Sequence, residues 1–251
     1  TTSEDAGATW SVPTIVNMRK DHEQSLLVGP GRGMVTSKGR ILFTAYEFTG
    51  SDKNSVAIYS DDGGKTWERG KSVSGWSSEA VVTEADGKLY MFTRHGGYYT
   101  SDDFGETWST QKNMGISYWL NCQLTAITYP KKIDGKTAIL FATPSSSSGR
   151  AAGKIFVGLV QDDGTLDWKY NYSINGSAYY AYSCLTILPD GTIGLLYESD
   201  GTVITYEDFD IEDVAKGAAI GNIWCTDENG TVADVTMTSD MSKKLTVNGL
   251  K

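Results

Sequence analysis

The chain has 251 residues, of which 39% are hydrophobic and 28 are glycine, and this composition predicts a folded, turn-rich protein with a large core. With 22 basic and 31 acidic residues the net charge is −9, so neither nucleic acid nor an anionic membrane surface is an expected partner. No apolar run approaches the roughly 18 residues of a membrane span, so no span is predicted.

Alternating apolar and polar residues predict a series of strands, with glycine-containing turns between them. In chain order the predicted strands are 41–46, 55–60, 80–85, 88–94, 137–144, 154–160, 182–188 and 192–198. Only 208–218 has a pattern compatible with a short helix. The sequence therefore predicts an all-β protein built of antiparallel meanders.

One octapeptide pattern, Ser-x-Asp-x-Gly-x-Thr-Trp, occurs three times. The copies are SEDAGATW (3–10), SDDGGKTW (60–67) and SDDFGETW (101–108), and a degenerate version lies at 160–168. Spacings of about forty to sixty residues are typical of a propeller with one four-stranded blade per repeat.

The octapeptide could bind an ion or build a turn. A calcium loop needs oxygen ligands at alternate positions, but Asp62 is followed by Gly63, Gly64 and Lys65. A phosphate loop needs Gly-Lys-Ser/Thr at the start of a helix, and the Trp and polar residues that follow Gly64-Lys65-Thr66 do not begin one. We therefore expect a structural hairpin in which the aspartate accepts turn N–H groups, the glycine allows the bend and the tryptophan packs beneath.

The three cysteines, Cys122, Cys184 and Cys225, are odd in number and widely spaced. This argues against a disulfide framework and against a zinc cluster. They are expected to be small buried hydrophobic residues.

The repeated octapeptide is the Asp-box, and together with three longer segments it resembles the bacterial sialidases, or neuraminidases. The similar segments are SEAVVTEADGKLYMFTR (78–94), GRAAGKIFVGLV with DWKYNY (149–172) and AYSCLTILPDGTIGLLYE (181–198). The resemblance covers roughly residues 3 to 210. It implies a six-bladed β-propeller of the sialidase type, with four-stranded antiparallel blades, present here in part.

The resemblance also implies a set of site residues. Tyr182 corresponds to the family's nucleophile and Glu79 to its partner base, whereas Arg94 and Arg150 correspond to two of the three arginines that bind the substrate carboxylate. Glu198 corresponds to the carboxylate that orients the remaining arginine. Taken singly, each residue would be assigned to packing or to the solvated surface, and only their joint order favours a site.

Further residues near these positions are candidates for the lining of the pocket. His95 follows Arg94 directly, and a solvent-facing or supporting position is expected for it. Tyr118, Trp119 and Gln123 are expected on the glycerol or aglycone side of the sugar.

The sequence departs from the family pattern at its beginning. The family's first arginine lies in an Arg-Ile-Pro motif followed by an aspartate acid/base, and no Arg-Ile-Pro occurs here. We therefore expect this chain to correspond to the C-terminal two-thirds of a catalytic domain. The missing groups would lie in an N-terminal part of the same domain, on another chain or in a cleaved segment. Residues 1–218 are expected to form propeller blades, and 219–251 a β-rich tail that closes a blade or begins a linker.

Tyrosine suits this reaction because sialic acid carries a carboxylate on its anomeric carbon, which would repel a carboxylate nucleophile. Sialidases with a tyrosine nucleophile are an established exception to two-carboxylate glycoside hydrolysis. A phenol with a pKa near 10 costs about 4 kcal/mol to ionise at pH 7, and a glutamate within hydrogen-bond reach can accept its proton. Tyr182 and Glu79 are therefore predicted to be in contact.

The sequence leaves four functions open. The first is an exo-acting retaining sialidase that acts on sialylated glycans through a tyrosyl-enzyme intermediate. The second is a trans-sialidase or intramolecular trans-sialidase, and the third is a glycan-binding propeller without catalysis. The fourth is a structural Asp-box propeller that acts in protein interaction, and the segments with Tyr182, Arg94 and Arg150 count against it. No metal or organic cofactor is implied by the resemblance, and a secreted or cell-surface location in a bacterium is expected from it.

Overall fold

The computed structural model describes residues 1–221, 224–226 and 232–234. Within that range fifteen strands form four antiparallel sheets along the chain. The first sheet contains β1 (Ser25–Val28), β2 (Met34–Val35), β3 (Ile41–Phe48), β4 (Lys53–Ser60) and β5 (Glu68–Arg69). The second contains β6 (Ala80–Ala85), β7 (Lys88–Thr93) and β8 (Tyr98–Ser101).

The third sheet has four strands and the fourth has three. The third contains β9 (Thr125–Ile133), β10 (Lys136–Pro144), β11 (Gly153–Val160) and β12 (Leu166–Ser173). The fourth contains β13 (Ser183–Ile187), β14 (Ile193–Glu198) and β15 (Ile204–Phe209), and a short helix, α1 (Ile211–Val214), follows it. A separate pair consists of β16 (Trp224–Thr226) and β17 (Val232–Asp234).

All eight predicted strands are present, and the all-β class is confirmed. The helix predicted over 208–218 is shorter, because Asp208 and Phe209 pair with β14 in the last strand and Gly217 adopts a φ of 86°. Most of the tail predicted over 219–251 lies outside the described residues, so the predicted boundary at 218 stays a prediction.

The first strands of the second, third and fourth sheets, β6, β9 and β13, lie side by side. Side chains join them where backbone pairing does not. Thr83 on β6 bonds Thr128 on β9 at 2.8 Å, and Leu185 on β13 donates its N–H to the Thr125 hydroxyl on β9 at 3.1 Å. These bonds set the register between sheets that share no ladder.

Apolar side chains from facing sheets fill the space between neighbouring sheets. One cluster packs the second sheet against the third and is rich in aromatic rings, such as Phe92 on Phe141 at 5.4 Å between centroids. Another packs the third against the fourth and α1. Ring pairs in this geometry add to the free energy gained by burial.

The three repeat loops share one hydrogen-bond pattern, which agrees with the structural interpretation. The aspartate accepts from the serine hydroxyl and from the threonine N–H and hydroxyl at Asp5, Asp62 and Asp103. These hydrogen bonds lower the pKa of Asp5 and of Asp62 to about 2, and the bond from the threonine hydroxyl has the largest effect. The carboxylate oxygens are thus directed into their own loops.

A buried ion-pair network fastens the segment before β1 to the first sheet. The fully buried carboxylate of Glu23 accepts from Arg69 at 2.7 and 3.0 Å, and Glu47 contacts the same guanidinium. Burial opposes the charge of Glu23, but hydrogen bonds from Arg69 and the Lys20 N–H prevail and lower its pKa to about 2. Within the described residues, no helix is both long and apolar enough to cross a membrane.

Candidate active site

Glu79 and Arg94 flank the β6–β7 hairpin. Its turn contains Asp86 and Gly87, both with positive φ, which matches the right-handed twist of the strands. Pairing of Ala80 with Thr93 makes the two flanking residues cross-strand neighbours, and the Arg94 N–H donates to the Glu79 carbonyl at 2.8 Å. One hairpin thus presents a carboxylate and a guanidinium together.

Tyr182 and Glu198 form a similar pair at the open end of the β13–β14 hairpin, where Tyr182 precedes β13 and Glu198 is the last residue of β14. The Glu198 N–H donates to the Tyr182 carbonyl at 2.9 Å. Two residues earlier, the fully buried Tyr180 ring stacks on Tyr197 with centroids 4.9 Å apart, and Gly153 leaves room for it because a Cβ there would overlap the ring. This anchor holds the chain that carries Tyr182.

The two hairpins meet at the Tyr182 hydroxyl. It donates to the Glu79 Oε1 at 2.8 Å and also lies 3.1 Å from Oε2. Arg94 donates one nitrogen both to Glu79 at 2.7 Å and to the Tyr182 oxygen at 3.0 Å. The contact predicted across 103 positions is confirmed.

Arg150 lies on the other side of Tyr182. Its guanidinium carbon is 5.2 Å from the centroid of the Tyr182 ring, within the range of a cation–π interaction. The loop between β10 and β11 carries it, and its carbonyl accepts the Tyr180 N–H at 3.1 Å. Four of the five predicted residues, Tyr182, Glu79, Arg94 and Arg150, are therefore together.

The environment raises the pKa of the Tyr182 phenol. Burial is the main cause, followed by the hydrogen bond to Glu79 and its negative charge, and the positive charges of Arg94 and Arg150 oppose the shift. The phenol is therefore neutral at neutral pH and already directs its proton toward a carboxylate. Both arginines would favour a phenolate if that proton left.

Glu198 lines a cavity of 310 Å³ beside Tyr182. Gln123 lines the same cavity but does not offer its amide to it, since both amide atoms bond the backbone of Ser183, at 2.8 and 3.0 Å. Among the described residues, no donor contacts the Glu198 carboxylate, and its predicted role of orienting an arginine stays a prediction.

The neighbouring candidates occupy different environments. Tyr118 packs its ring edge-on against Phe141 in the core, so the prediction that it contacts the sugar was wrong. Trp119 is partly exposed, and its backbone N–H donates to the Pro144 carbonyl at 2.8 Å. The His95 ring packs at a tilt against the Trp76 ring, with centroids 4.7 Å apart.

The cysteine predictions can be checked at two positions. Cys122 is buried, and burial raises the pKa of its thiol to about 11. Cys184 is partly exposed in the cavity beside Tyr182. The side chain of Cys225 lies outside the described residues. Across the part of the chain that the structure describes, no group of three or more His, Cys, Asp or Glu side chains could hold a metal ion.

The family model described as a BNR repeat-like domain matches residues 1–195, more than half of the chain. The chain belongs to this family. The matched part of this BNR repeat-like domain contains Glu79, Arg94, Arg150 and Tyr182, and it ends three residues before Glu198.

Curated relatives of this BNR repeat-like chain are sialidases. The anhydrosialidase of Macrobdella decora is 36% identical over 88% of this chain and 33% of its own length. Sialidase B of Streptococcus pneumoniae is 35% identical over 86% of this chain and 34% of its own. The chain therefore spans about a third of the length of these relatives.

Solved structures give the fold. The intramolecular trans-sialidase of Ruminococcus gnavus, in complex with oseltamivir carboxylate, superposes with a TM-score of 0.75 at 34% identity, over 85% of this chain and 50% of that one. The leech intramolecular trans-sialidase, complexed with 2,7-anhydro-Neu5Ac, also gives 0.75, at 33% identity over 85% of this chain and 36% of that one. The fold is that of the sialidase β-propellers.

Two further residues of this BNR repeat-like domain contact or adjoin the site and were not predicted from the sequence. Asn121 accepts from the second Arg94 nitrogen through its carbonyl, at 3.1 Å, and through its side chain, at 3.0 Å. Tyr46 lies close enough that the charges of Glu79 and Arg94 act on its phenol, whose pKa is raised chiefly by burial. Neither has a signal in the sequence, because Asn121 lies in an irregular loop and Tyr46 in an ordinary alternating strand.

Proposed function

We propose that this domain cleaves terminal sialic acids from glycans with retention of configuration, with Tyr182 as nucleophile. The observation that carries the proposal is the hydrogen bond of 2.8 Å from the Tyr182 hydroxyl to Glu79, with Arg94 donating to both partners. A neutral phenol paired with a carboxylate base and flanked by two guanidinium groups suits attack on an anomeric carbon that bears a carboxylate.

In the first step the Tyr182 oxygen bonds to the anomeric carbon as its proton moves to Glu79. The glycosidic bond breaks, and its electron pair leaves with the aglycone oxygen, which takes a proton from a general acid. In the second step water attacks the same carbon and gives a proton to the conjugate base of that general acid, and the phenolate leaves and recovers its own proton from Glu79. Two inversions give retention.

Arg150 and Arg94 supply positive charge on either side of the phenol. Arg150 is proposed to bind the substrate carboxylate through its planar fork. Arg94 is engaged with Glu79, Tyr182 and Asn121, and we assign it a second role, which is to stabilise the developing phenolate. Glu198 is proposed to orient the third arginine.

The general acid and the third arginine are proposed to come from the part of the protein that this chain does not span. The relatives are about three times as long as the matched region, which leaves ample chain for further blades. A secreted or cell-surface location is part of the proposal, because sialylated glycans are displayed outside cells.

The test uses the full-length protein and a 3-fluorosialosyl fluoride, whose ring fluorine slows both steps while fluoride leaves readily in the first. We expect mass spectrometry to locate the sialosyl group on the peptide that contains Tyr182. Tyr182→Phe should abolish turnover of a fluorogenic sialoside. Full activity of that variant, or labelling of a different residue, would remove the assignment.

A second candidate is an intramolecular trans-sialidase, in which a hydroxyl of the bound sialic acid replaces water in the second step. Its support is that two of the similar structures are named as intramolecular trans-sialidases. The two reactions share the Tyr182 intermediate and differ only in product. NMR of the released sugar decides between them, since free sialic acid indicates hydrolysis and a 2,7-anhydro sugar indicates the intramolecular reaction.

A further inference from the structure

Trp76 is a large aromatic side chain left exposed beside the candidate active site. It is 46% exposed although its neighbour Ser77 and the following Ser78 are buried. It precedes Glu79 by three positions, so at most about 10 Å of extended chain lies between them. Exposed aromatic surface next to a site is a common feature of ligand recognition.

The chain holds Trp76 in this position at an energetic cost. Its φ is 62°, in the left-handed region that bulky residues rarely adopt because the backbone is strained there. Its indole N–H donates to the Ser51 carbonyl at 3.0 Å. On either side, Ser77 accepts the Ser55 N–H at 2.7 Å, and the Ser78 N–H donates to the Lys53 carbonyl at 2.8 Å. The indole cannot rotate away without breaking its bond to Ser51, and the bonds of Ser77 and Ser78 hold the backbone that carries it.

His95 connects this indole to the reactive groups. Its imidazole packs against the Trp76 ring in a tilted arrangement, with centroids 4.7 Å apart and an interplanar angle of 36°. The next residue toward the N-terminus is Arg94, which contacts both Tyr182 and Glu79. Trp76 and His95 therefore form one aromatic wall, and Arg94 adjoins this wall through its peptide bond to His95.

The wall is suited to a neutral, flat ligand. Burial, followed by the charges of Arg94 and Lys53, lowers the pKa of His95, so its imidazole is uncharged at neutral pH. The Lys53 ammonium lies 5.6 Å from the Trp76 ring, within reach of a hydroxyl on a bound ligand. A hexose ring has an apolar face of C–H bonds that can stack on an indole and hydroxyls at its rim.

We propose that Trp76, braced by His95, is the stacking platform for the neutral sugar ring next to the sialic acid in the glycan. This inference rests on the proposed function. It adds the residue that would make the enzyme prefer a sialoside with a sugar as its leaving group over one with a small leaving group such as methanol. The sialic acid would occupy the centre at Tyr182 and Arg150, and the following hexose would lie against the indole.

A binding experiment tests the platform without turnover. Full-length protein with Tyr182→Phe is mixed with a sialylated lactose trisaccharide, and saturation-transfer NMR reports which sugar protons contact protein. We expect saturation of both the sialic acid and the adjacent galactose. Adding Trp76→Ala should reduce the galactose signal several-fold and leave the sialic acid signal, whereas Trp76→Phe should retain most of both.

Trp10→Ala is the matched control, because Trp10 is 64% exposed and lies in the first repeat loop. Equal galactose saturation in the Trp76→Ala and Trp10→Ala proteins would overturn the platform while leaving the proposed function intact. Absence of sialic acid saturation in every variant would overturn the proposed function and the platform with it.

Kinetics of the active full-length protein provide a second readout. A stacked ring contributes about 0.5–1.5 kcal/mol, so Trp76→Ala should lower kcat/KM for the trisaccharide about 2- to 10-fold. The same variant should turn over a methyl sialoside at the unmodified rate, because methanol offers no ring to stack. An equal loss of kcat/KM on both substrates would mean that Trp76 supports the local structure and does not contact the sugar, and the platform would be overturned.

Discussion

Replacing Glu79 by glutamine tests whether the carboxylate removes the Tyr182 proton. The amide keeps the size of the side chain but cannot accept a full proton. The Tyr182 phenol, which now donates to Glu79 at 2.8 Å, would then have to ionise before it attacks.

The expected loss follows from the ionisation equilibrium. A phenol with an ordinary pKa near 10 is about one part in a thousand ionised at pH 7, which corresponds to about 4 kcal/mol. Removing the negative charge of Glu79 also removes one cause of the raised pKa of Tyr182, while Arg94 and Arg150 continue to lower it. We therefore expect kcat to fall about 1,000-fold at pH 7, and the deficit to shrink about tenfold for each pH unit above that.

The assay measures initial rates of the full-length protein between pH 6 and 9. The substrate is a sialoside with an acidic phenol as leaving group, because such a group departs without a general acid and the profile then reports the nucleophile. Glu84→Gln is the control: Glu84 is on β6, and its carboxylate bonds Ser37 instead. A deficit below tenfold at pH 7, or one that does not change with pH, would refute the reasoning.

Three predictions concern stability. Glu23→Gln leaves the Arg69 guanidinium without its most buried partner, so the free energy of unfolding should fall by about 3 kcal/mol in urea titrations; an unchanged midpoint contradicts this. Asp103→Ala removes bonds from Ser101 and Thr107, and a loss of about 2 kcal/mol is expected, visible as a lower Tm. Burial raises the pKa of Tyr90 to about 12, so its contribution to stability is complete below pH 10 and disappears as pH rises toward 12; circular dichroism and tyrosinate absorbance should change together there.

Part of the site could be predicted from the sequence on physical grounds. Glu79 and Arg94 lie at nearly equal distances from an Asp-Gly turn, and so do Tyr182 and Glu198. Antiparallel pairing across such a turn makes each pair neighbours, and both pairings are found. Alternation along the chain likewise located eight strands, because half-buried strands have a period of two. It missed two long strands, β9 and β12.

Other parts could not be predicted without the family resemblance. Nothing in the alternation of two hairpins 103 positions apart indicates that Tyr182 meets Glu79, since that contact depends on how separate sheets pack. Short strands such as β5 (Glu68–Arg69) have too few residues to show a period. Tyr118 was misplaced because its segment is irregular, and the hydrophobic core competes for an aromatic ring as effectively as a ligand does.

The side-chain bonds between neighbouring sheets have a further consequence. The proposed nucleophile and its base belong to two hairpins that never pair with each other, and the third sheet lies between them. Thr83 with Thr128 and Thr125 with Leu185 fasten that sheet on its two sides. These hydroxyl groups touch no reacting atom, but they help to set the distance between the Tyr182 hydroxyl and the Glu79 carboxylate.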